Sequence, residues 1–190
     1  MAQNKFKIHP DTIGTKFKMT RLFRIAIFFI ILFFAITNQV FAQSEYVLPY
    51  PSNMPGSIFY NLDLIHEKIS KYWHFGDFGQ FNYNLKLADK YLVEAKTLFE
   101  YKQFLLGYNA LQKSDSYFVK ILPKIIEAQK KGKNVIKKKE VLKKASEKHI
   151  EVLEEIGSNV PGTFLWEDEK VPPIELNLGE AIAKSINLRE

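Results

Sequence analysis

The chain has 190 residues, no cysteine and a formal net charge of +6, from 27 Lys and Arg against 21 Asp and Glu. The absence of cysteine excludes a disulfide framework, a cysteine zinc site and lipid attachment through an N-terminal cysteine. Residues 1–42 hold six of the bases and one of the acids, so the rest of the chain has 21 bases against 20 acids. Because that remainder is close to neutral, we predict no nucleic-acid partner.

Residues 1–42 have the pattern of a signal peptide. A basic region precedes the uncharged run IAIFFIILFFAI, Ile25 to Ile36. This run of about 12 residues fits a signal-peptide core and falls short of the roughly 20 that span a bilayer. Val40 and Ala42 stand at the small-residue positions that a signal peptidase accepts, so cleavage is predicted after Ala42.

The alternative for this segment is an uncleaved membrane anchor. Leu22 to Ala42 could span a bilayer if the Arg24 side chain extended towards the lipid headgroups. In both cases the basic residues hold the amino terminus inside, and the rest of the chain is expected to be extracytoplasmic: secreted, periplasmic or on the cell surface. Membrane contact is expected only through a retained leader.

Residues 43–57 are predicted to form an extended arm rich in proline and tyrosine. Pro49, Pro51 and Pro55 restrict the backbone to a polyproline-like path. The arm is predicted to pack along a groove between helices, with a plain surface tether as the alternative. The side chains predicted to pack there are Tyr46, Leu48 and Tyr50.

Residues 58–157 show helical spacing of apolar residues four times and no strand-type alternation. Each helix has one apolar side, so the predicted fold is all-α, an antiparallel bundle of about four helices that buries these sides together. The first stripe consists of Ile58, Leu62, Ile65, Ile69 and Trp73. The second consists of Phe81, Leu85, Ala88, Leu92, Ala95 and Phe99, with Asp89, Lys90, Glu94 and Lys96 on the solvated side.

The third predicted helix extends from Phe104 to Ile125, with a kink or restart expected at Pro123. A glycine-centred break at Lys130 to Asn134 separates it from the fourth, which extends from Val135 to Ile156 with Gly157 as its stop. Residues 158–190 are predicted to be a linker that ends in a short helix, Leu178 to Leu188.

Four segments of the sequence resemble the bacterial family named domain of unknown function 5667 (DUF5667). They are LPYPSNMPGSIFYNL, LKLADKYLVEA, GKNV and KHIEVLEEI, and the resemblance spans roughly Tyr46 to Val160. The chain departs from the family pattern at Ile58, where a proline is common, and at Tyr91, where an arginine is common. The resemblance implies an exported helical domain and brings no activity with it.

The sequence lacks the usual signatures of an enzyme. It has no Gly-x-Ser-x-Gly, no phosphate loop and no His-Glu-x-x-His, since HEKIS at His66 lacks the second histidine. We therefore predict no catalytic residue and no cofactor.

Two candidate sites remain. A lysine-rich stretch is predicted to bind an anionic surface, and its alternative is a solvated helix face; its residues are Lys137, Lys138, Lys139, Lys143 and Lys144. The second candidate is a metal site made by His66, His149 and Glu151 if the first and fourth helices pack together.

The function expected from the sequence is that of an exported, non-catalytic binding or scaffold module of the bacterial cell envelope. Its expected partner is an envelope protein of unknown identity or an anionic surface. The alternative is an exported metal-binding or stress-responsive helical protein that uses His and Glu side chains.

Overall fold

The computed structural model describes residues 46–190. The predicted leader, residues 1–42, and the predicted cleavage after Ala42 lie outside the described residues. No helix in the described part combines the length and the apolarity needed to cross a membrane. The elements follow one another in this order: α1 Ile58–Trp73, α2 Gly76–Glu100, α3 Phe104–Phe118, α4 Ile121–Lys130, α5 Ile136–Asn159, β1 Thr163–Asp168, β2 Val171–Asn177 and α6 Leu178–Asn187.

Helix α2 lies at the centre of the domain and contacts α3, α4 and α5. Its predicted stripe, from Phe81 to Phe99, is buried, as the spacing requires. A second buried group, Tyr83, Leu87 and Tyr91, lies on another face of the same helix. Because α2 is covered on more than one side, it buries polar residues that the sequence had placed in solvent: Asp89 and Glu94 are buried, and this part of the prediction is wrong.

The predicted third helix is two helices. The chain leaves α3 at Phe118 and begins α4 at Ile121, two residues before Pro123. Pro123 therefore occupies the first turn of α4, where a backbone amide needs no partner within the helix. The expected restart is confirmed, and its position precedes the proline. At the other end of α3, Gly107 allows close contact with α2, since a Cβ there would lie 2.8 Å from Phe99 Cδ1.

Helix α5 extends to Asn159, so Gly157 lies inside the helix and does not stop it as predicted. The glycine-centred break before α5 is confirmed, with Gly132 at a φ of +75°. A left-handed backbone of this kind suits glycine because it has no Cβ to clash.

The segment after α5 is a β-hairpin where a linker was predicted. β1 and β2 pair antiparallel, with Thr163 opposite Asn177 and Trp166 opposite Ile174. β2 contains two prolines, which a strand tolerates when one of its edges has no partner strand. The predicted short helix is confirmed as α6, which packs Leu178 and Ile182 into the main core cluster. The fold is therefore mainly helical, with one small sheet.

The burial predicted for the stripe of α1 is wrong. All five of its residues are exposed, and the only buried residue of α1 is Glu67. The arm prediction is confirmed for two of its three residues. Tyr46 reaches Asp89 and Leu48 packs on the core, whereas Tyr50 is 96% exposed.

Candidate functional site

Helix α1 presents its apolar face to solvent and its polar face to the domain. The stripe ranges in exposure from 49% at Ile69 to 85% at Ile58. At 3.6 residues per turn, the stripe and Glu67 fall on opposite faces of the helix. Further exposed apolar side chains beside the stripe enlarge this surface, which we call the α1 face. The α1 face consists of Ile58, Phe59, Leu62, Ile65, Ile69, Tyr72, Trp73 and Phe75.

The opposite side of α1 is held to α2 through Glu67. Its carboxylate pairs with Lys90 and accepts a hydrogen bond of 2.6 Å from Tyr91 Oη. Tyr83 Oη donates to the backbone oxygen of Glu67 at 3.0 Å. Burial raises the pKa of Tyr83 to about 12 and also raises that of Tyr91, so both hydroxyls remain donors at neutral pH. These polar contacts, with little apolar packing, hold the middle of α1.

A second polar contact lies near the start of α1. Tyr60 Oη donates to Glu94 Oε1 at 3.0 Å, and Lys113 Nζ donates to Tyr60 Oη at 3.2 Å. Among the described residues, Glu94 Oε2 is a buried oxygen without a hydrogen-bond partner. Burial raises the pKa of Glu94, against the opposing effect of the hydrogen bond from Tyr60. The contact between α1 and α2 thus leaves one buried carboxylate oxygen without a hydrogen bond.

A separate buried polar cluster surrounds His149, which is 0% exposed. Arg189 Nε donates to His149 Nδ1 at 3.1 Å, so the ring proton lies on Nε2, which donates to Asp89 Oδ1 at 2.7 Å. Tyr46 Oη donates to the other oxygen of Asp89 at 2.6 Å. Burial lowers the pKa of His149, and the neutral ring therefore predominates at neutral pH.

Arg189 connects this cluster to α3 and α6. Its Nη1 donates to Asp115 Oδ1 at 2.7 Å and its Nη2 donates to Ser114 Oγ at 2.9 Å. Ser185 Oγ donates to Asp115 Oδ2 at 2.6 Å. The guanidinium also lies over the ring of Phe118, 4.7 Å from its centroid. The cluster joins the arm to α2, α3, α5 and α6. Its polar groups are hydrogen bonded to one another, which favours a structural role.

The residues predicted to bind a metal are not brought together. Both ring nitrogens of His149 are hydrogen bonded inside the domain, whereas His66 is exposed on α1 and Glu151 pairs with Lys148. No group of three or more His, Asp or Glu in residues 46–190 is arranged to hold a metal ion.

The lysine stretch is spread around α5. Lys138 donates to Asn82 Oδ1 at 2.8 Å, and Lys144 pairs with Glu140 at 3.1 Å. Lys139 and Lys143 border a groove of about 670 Å³ whose lining includes Leu122 and Leu142. The fifth residue, Lys137, is exposed.

The basic start of α5 is partly neutralised within the domain. Lys131 and Lys133, in the preceding turn, both donate to Asp77, at 2.7 and 2.9 Å. The hydrogen bond from Lys131 and the one from Lys133 lower the pKa of Asp77 to about 2. An external anion is therefore not needed to balance that turn.

Sequence reasoning missed four residues that organise the interior: Glu67, Asp89, Asp115 and Arg189. One of them left a visible signal, since Asp115 interrupts the apolar stripe of α3. A charged residue on a core-facing position is rarely buried without a partner. The partner could not be read from spacing, because Arg189 lies 74 residues further along the chain.

The fold and these clusters define a class: a small helical domain with an internally paired polar interior and one outward apolar helix face. A family model, Domain of unknown function (DUF5667), matches residues 52–163, and the chain belongs to that family. No curated protein and no solved structure matches the chain.

Proposed function

We propose that this chain is an exported, non-catalytic binding or scaffold module of the bacterial cell envelope, and that it binds through the α1 face. The observation that supports this most directly is the orientation of α1, which exposes a continuous row of large apolar side chains. A contiguous apolar surface on a folded domain usually marks an interaction site, because exposing it to water is unfavourable.

The rest of the domain is suited to support such a face. α2 is buried on more than one side, and the cluster around His149 and Arg189 links the remaining helices. The titratable groups of that cluster are shielded from solvent and bonded to one another, so they favour a scaffold over a reaction centre. The export part of the proposal rests on the signal-peptide pattern of residues 1–42.

Site-specific photo-crosslinking in intact cells tests this proposal. A crosslinker at Ile65 on the α1 face is compared with one at Leu165 on β1, since the two side chains are 54% and 53% exposed. We expect crosslinks at Ile65 and none at Leu165. When the cells are fractionated, we expect the chain outside the cytoplasmic fraction, where cytoplasmic proteases do not reach it. A cytoplasmic chain, or equal crosslinking at both positions, would contradict the proposal.

A further inference from the structure

We propose that the α1 face binds the surface of a phospholipid bilayer. This inference rests on the proposed function and specifies what the α1 face contacts. Four observations carry it: the width of the face, the placement of its aromatic residues, the charges beside it, and its distance along the chain from the predicted leader.

The α1 face is broad and without a charged residue at its centre. At 100° per residue, the apolar arc from Tyr72 to Trp73 is about 100° wide, and Phe59 extends it to about 140° beyond the exposed ring of His66, whereas a coiled-coil seam is a narrower stripe. A single partner helix covers a narrow seam, while a wide face on a helix lying against a flat surface is typical of interfacial membrane binding. The width therefore favours a bilayer over one partner helix.

The aromatic residues lie at the two ends of the face. Phe59 stands near the start of α1, and Tyr72, Trp73 and Phe75 stand at its end, with the aliphatic residues between them. Tyr and Trp have an apolar ring with one polar group, and they concentrate at the level of lipid headgroups.

The charges beside the face are one lysine and one aspartate. Lys68 is exposed about 40° beyond Tyr72, whereas Asp63, about 40° beyond Phe59, is half-buried and accepts a hydrogen bond from Asn53. A lysine side chain beside an apolar face can extend to phosphate groups while its carbon chain lies on the apolar surface. Lys68 is therefore placed to contact the phosphate of a lipid headgroup.

The position of α1 in the chain brings it near a membrane. Fifteen residues, 43–57, separate the predicted leader from α1. Residues 46–57 are not a free tether, because Tyr46 is bonded to Asp89 and Leu48 packs on the core. If the leader is retained as an anchor, only residues 43–45 separate it from the part of the arm that is attached to the domain.

Tryptophan fluorescence of the full chain tests this inference, because the chain has only two tryptophans. Trp166→Phe leaves Trp73 on the α1 face, and Trp73→Phe leaves Trp166 on β1. Each variant is reconstituted with vesicles of equal parts phosphatidylcholine and phosphatidylglycerol, with or without brominated acyl chains. We expect Trp73 emission to shift to the blue and to be quenched by the brominated lipid, and Trp166 emission to change in neither way.

A matched pair of double variants, each added to Trp166→Phe, shows whether the face causes this contact. Leu62→Gln/Ile69→Gln places two polar groups on the α1 face without changing charge. Leu165→Gln/Ile126→Gln makes the same substitutions at exposed positions elsewhere. The first pair is expected to abolish quenching of Trp73, and the second to leave it unchanged.

Three outcomes would overturn the inference that the α1 face binds a bilayer. In the first, Trp73 is not quenched by brominated lipid. In the second, its emission shifts with protein concentration alone and an Ile69→Cys variant crosslinks to a second copy, which identifies another chain as the occupant. In the third, Ile65 crosslinks in cells to protein and not to lipid, which leaves the proposed function standing. The absence of any crosslink at Ile65 would contradict both the proposed function and the bilayer.

Discussion

Arg189 is a buried guanidinium whose three nitrogen atoms all donate hydrogen bonds to the interior of the domain. Its nearest charged partner, Asp115, is also buried. Removing one member of such a pair leaves the other charge without compensation, which is more damaging than losing the pair itself. The interior is therefore sensitive to single substitutions in this cluster.

We predict that Arg189→Met lowers the free energy of unfolding by about 3–5 kcal/mol, because it leaves Asp115 buried with a serine as its remaining donor. Urea denaturation followed by circular dichroism measures the change. The double variant Arg189→Met/Asp115→Asn removes both charges and should lose less than the sum of the two single variants. Additive losses would show that the two side chains are not coupled.

His149 gives the domain a predictable response to pH. Its pKa in the folded state lies below the ordinary value of 6.5, because burial disfavours the charged ring and Arg189 adds to this effect against Asp89. The unfolded chain therefore binds the proton more readily as the pH falls below 6.5. The stability that the neutral ring contributes is fully present above that pH and is lost as the pH falls through the folded pKa.

We accordingly predict that the wild-type protein loses thermal stability between about pH 7 and pH 5 more steeply than a His149→Gln variant. Melting temperatures of both proteins in matched buffers at constant ionic strength measure the two slopes. The variant will be less stable at every pH, so only the difference in slope is informative. Equal slopes would mean that His149 titrates alike in the folded and unfolded chain.

At the scale of elements, apolar spacing predicted where the helices lie in the chain. It predicted which way their apolar sides face for some helices and not for others. The stripe of α2 is buried as expected, since that helix packs on several neighbours. The stripe of α1 is equally regular, yet it faces solvent because Tyr60 and Glu67 on the other side bind α2. Periodicity establishes that a helix has an apolar face, but it does not identify what covers that face.

The hairpin was missed for a related reason. Its strands bury little, with Leu176 the only buried residue of either strand, so they lack a strong core-facing pattern. Pro172 and Pro173 also suggested a linker. A weak alternation was present in β1, where Phe164 and Trp166 are half-buried.

The polar attachment of α1 implies that this helix opens separately from the rest of the domain. Glu67 is its one buried side chain, so local opening exposes little apolar surface. We predict that amides of residues 58–73 exchange with deuterium faster than those of α2. In the Glu67→Met variant, exchange of residues 58–73 should be about tenfold faster than in the wild type, the equivalent of roughly 1.4 kcal/mol. Hydrogen exchange with mass spectrometry resolves the two segments.

The control for this variant is Glu154→Met, which replaces an exposed glutamate on α5. It should leave exchange in residues 58–73 unchanged. If Glu67→Met instead accelerates exchange throughout α2 and α5, then α1 is part of the cooperative core, and the separate opening inferred from its contacts is wrong.

At the scale of the whole molecule, the packed core and the buried polar cluster extend beyond the part that the family model matches. That match ends at residue 163, whereas Ser185 and Arg189 complete the buried polar cluster. Leu178 and Ile182 belong to the same core cluster as Leu153 and Ile156 of α5. The hairpin reverses the direction of the chain, so that α6 lies against α5. Helix α6 also contacts α3.

We therefore predict that a chain shortened after Thr163 loses cooperative thermal unfolding, even though it retains the whole matched region. The shortening exposes Leu153 and Ile156 to water and leaves Asp115 without its arginine, and together these costs are comparable with the stability of an entire domain. Helical circular dichroism should persist in part, with binding of an apolar dye and a broad melting curve, as in a compact state without fixed packing.

The full-length Arg189→Met variant separates the two causes, because it removes the charge partner and keeps α6 over the core. We expect that variant to melt cooperatively at a lower temperature, since apolar coverage by Leu178 and Ile182 is intact. Adding a peptide of residues 160–190 to the shortened chain should restore a sharp transition. A shortened chain that melts as sharply and at the same temperature as the full chain would show that α6 is peripheral to folding, and that the core of α2 to α5 is sufficient by itself.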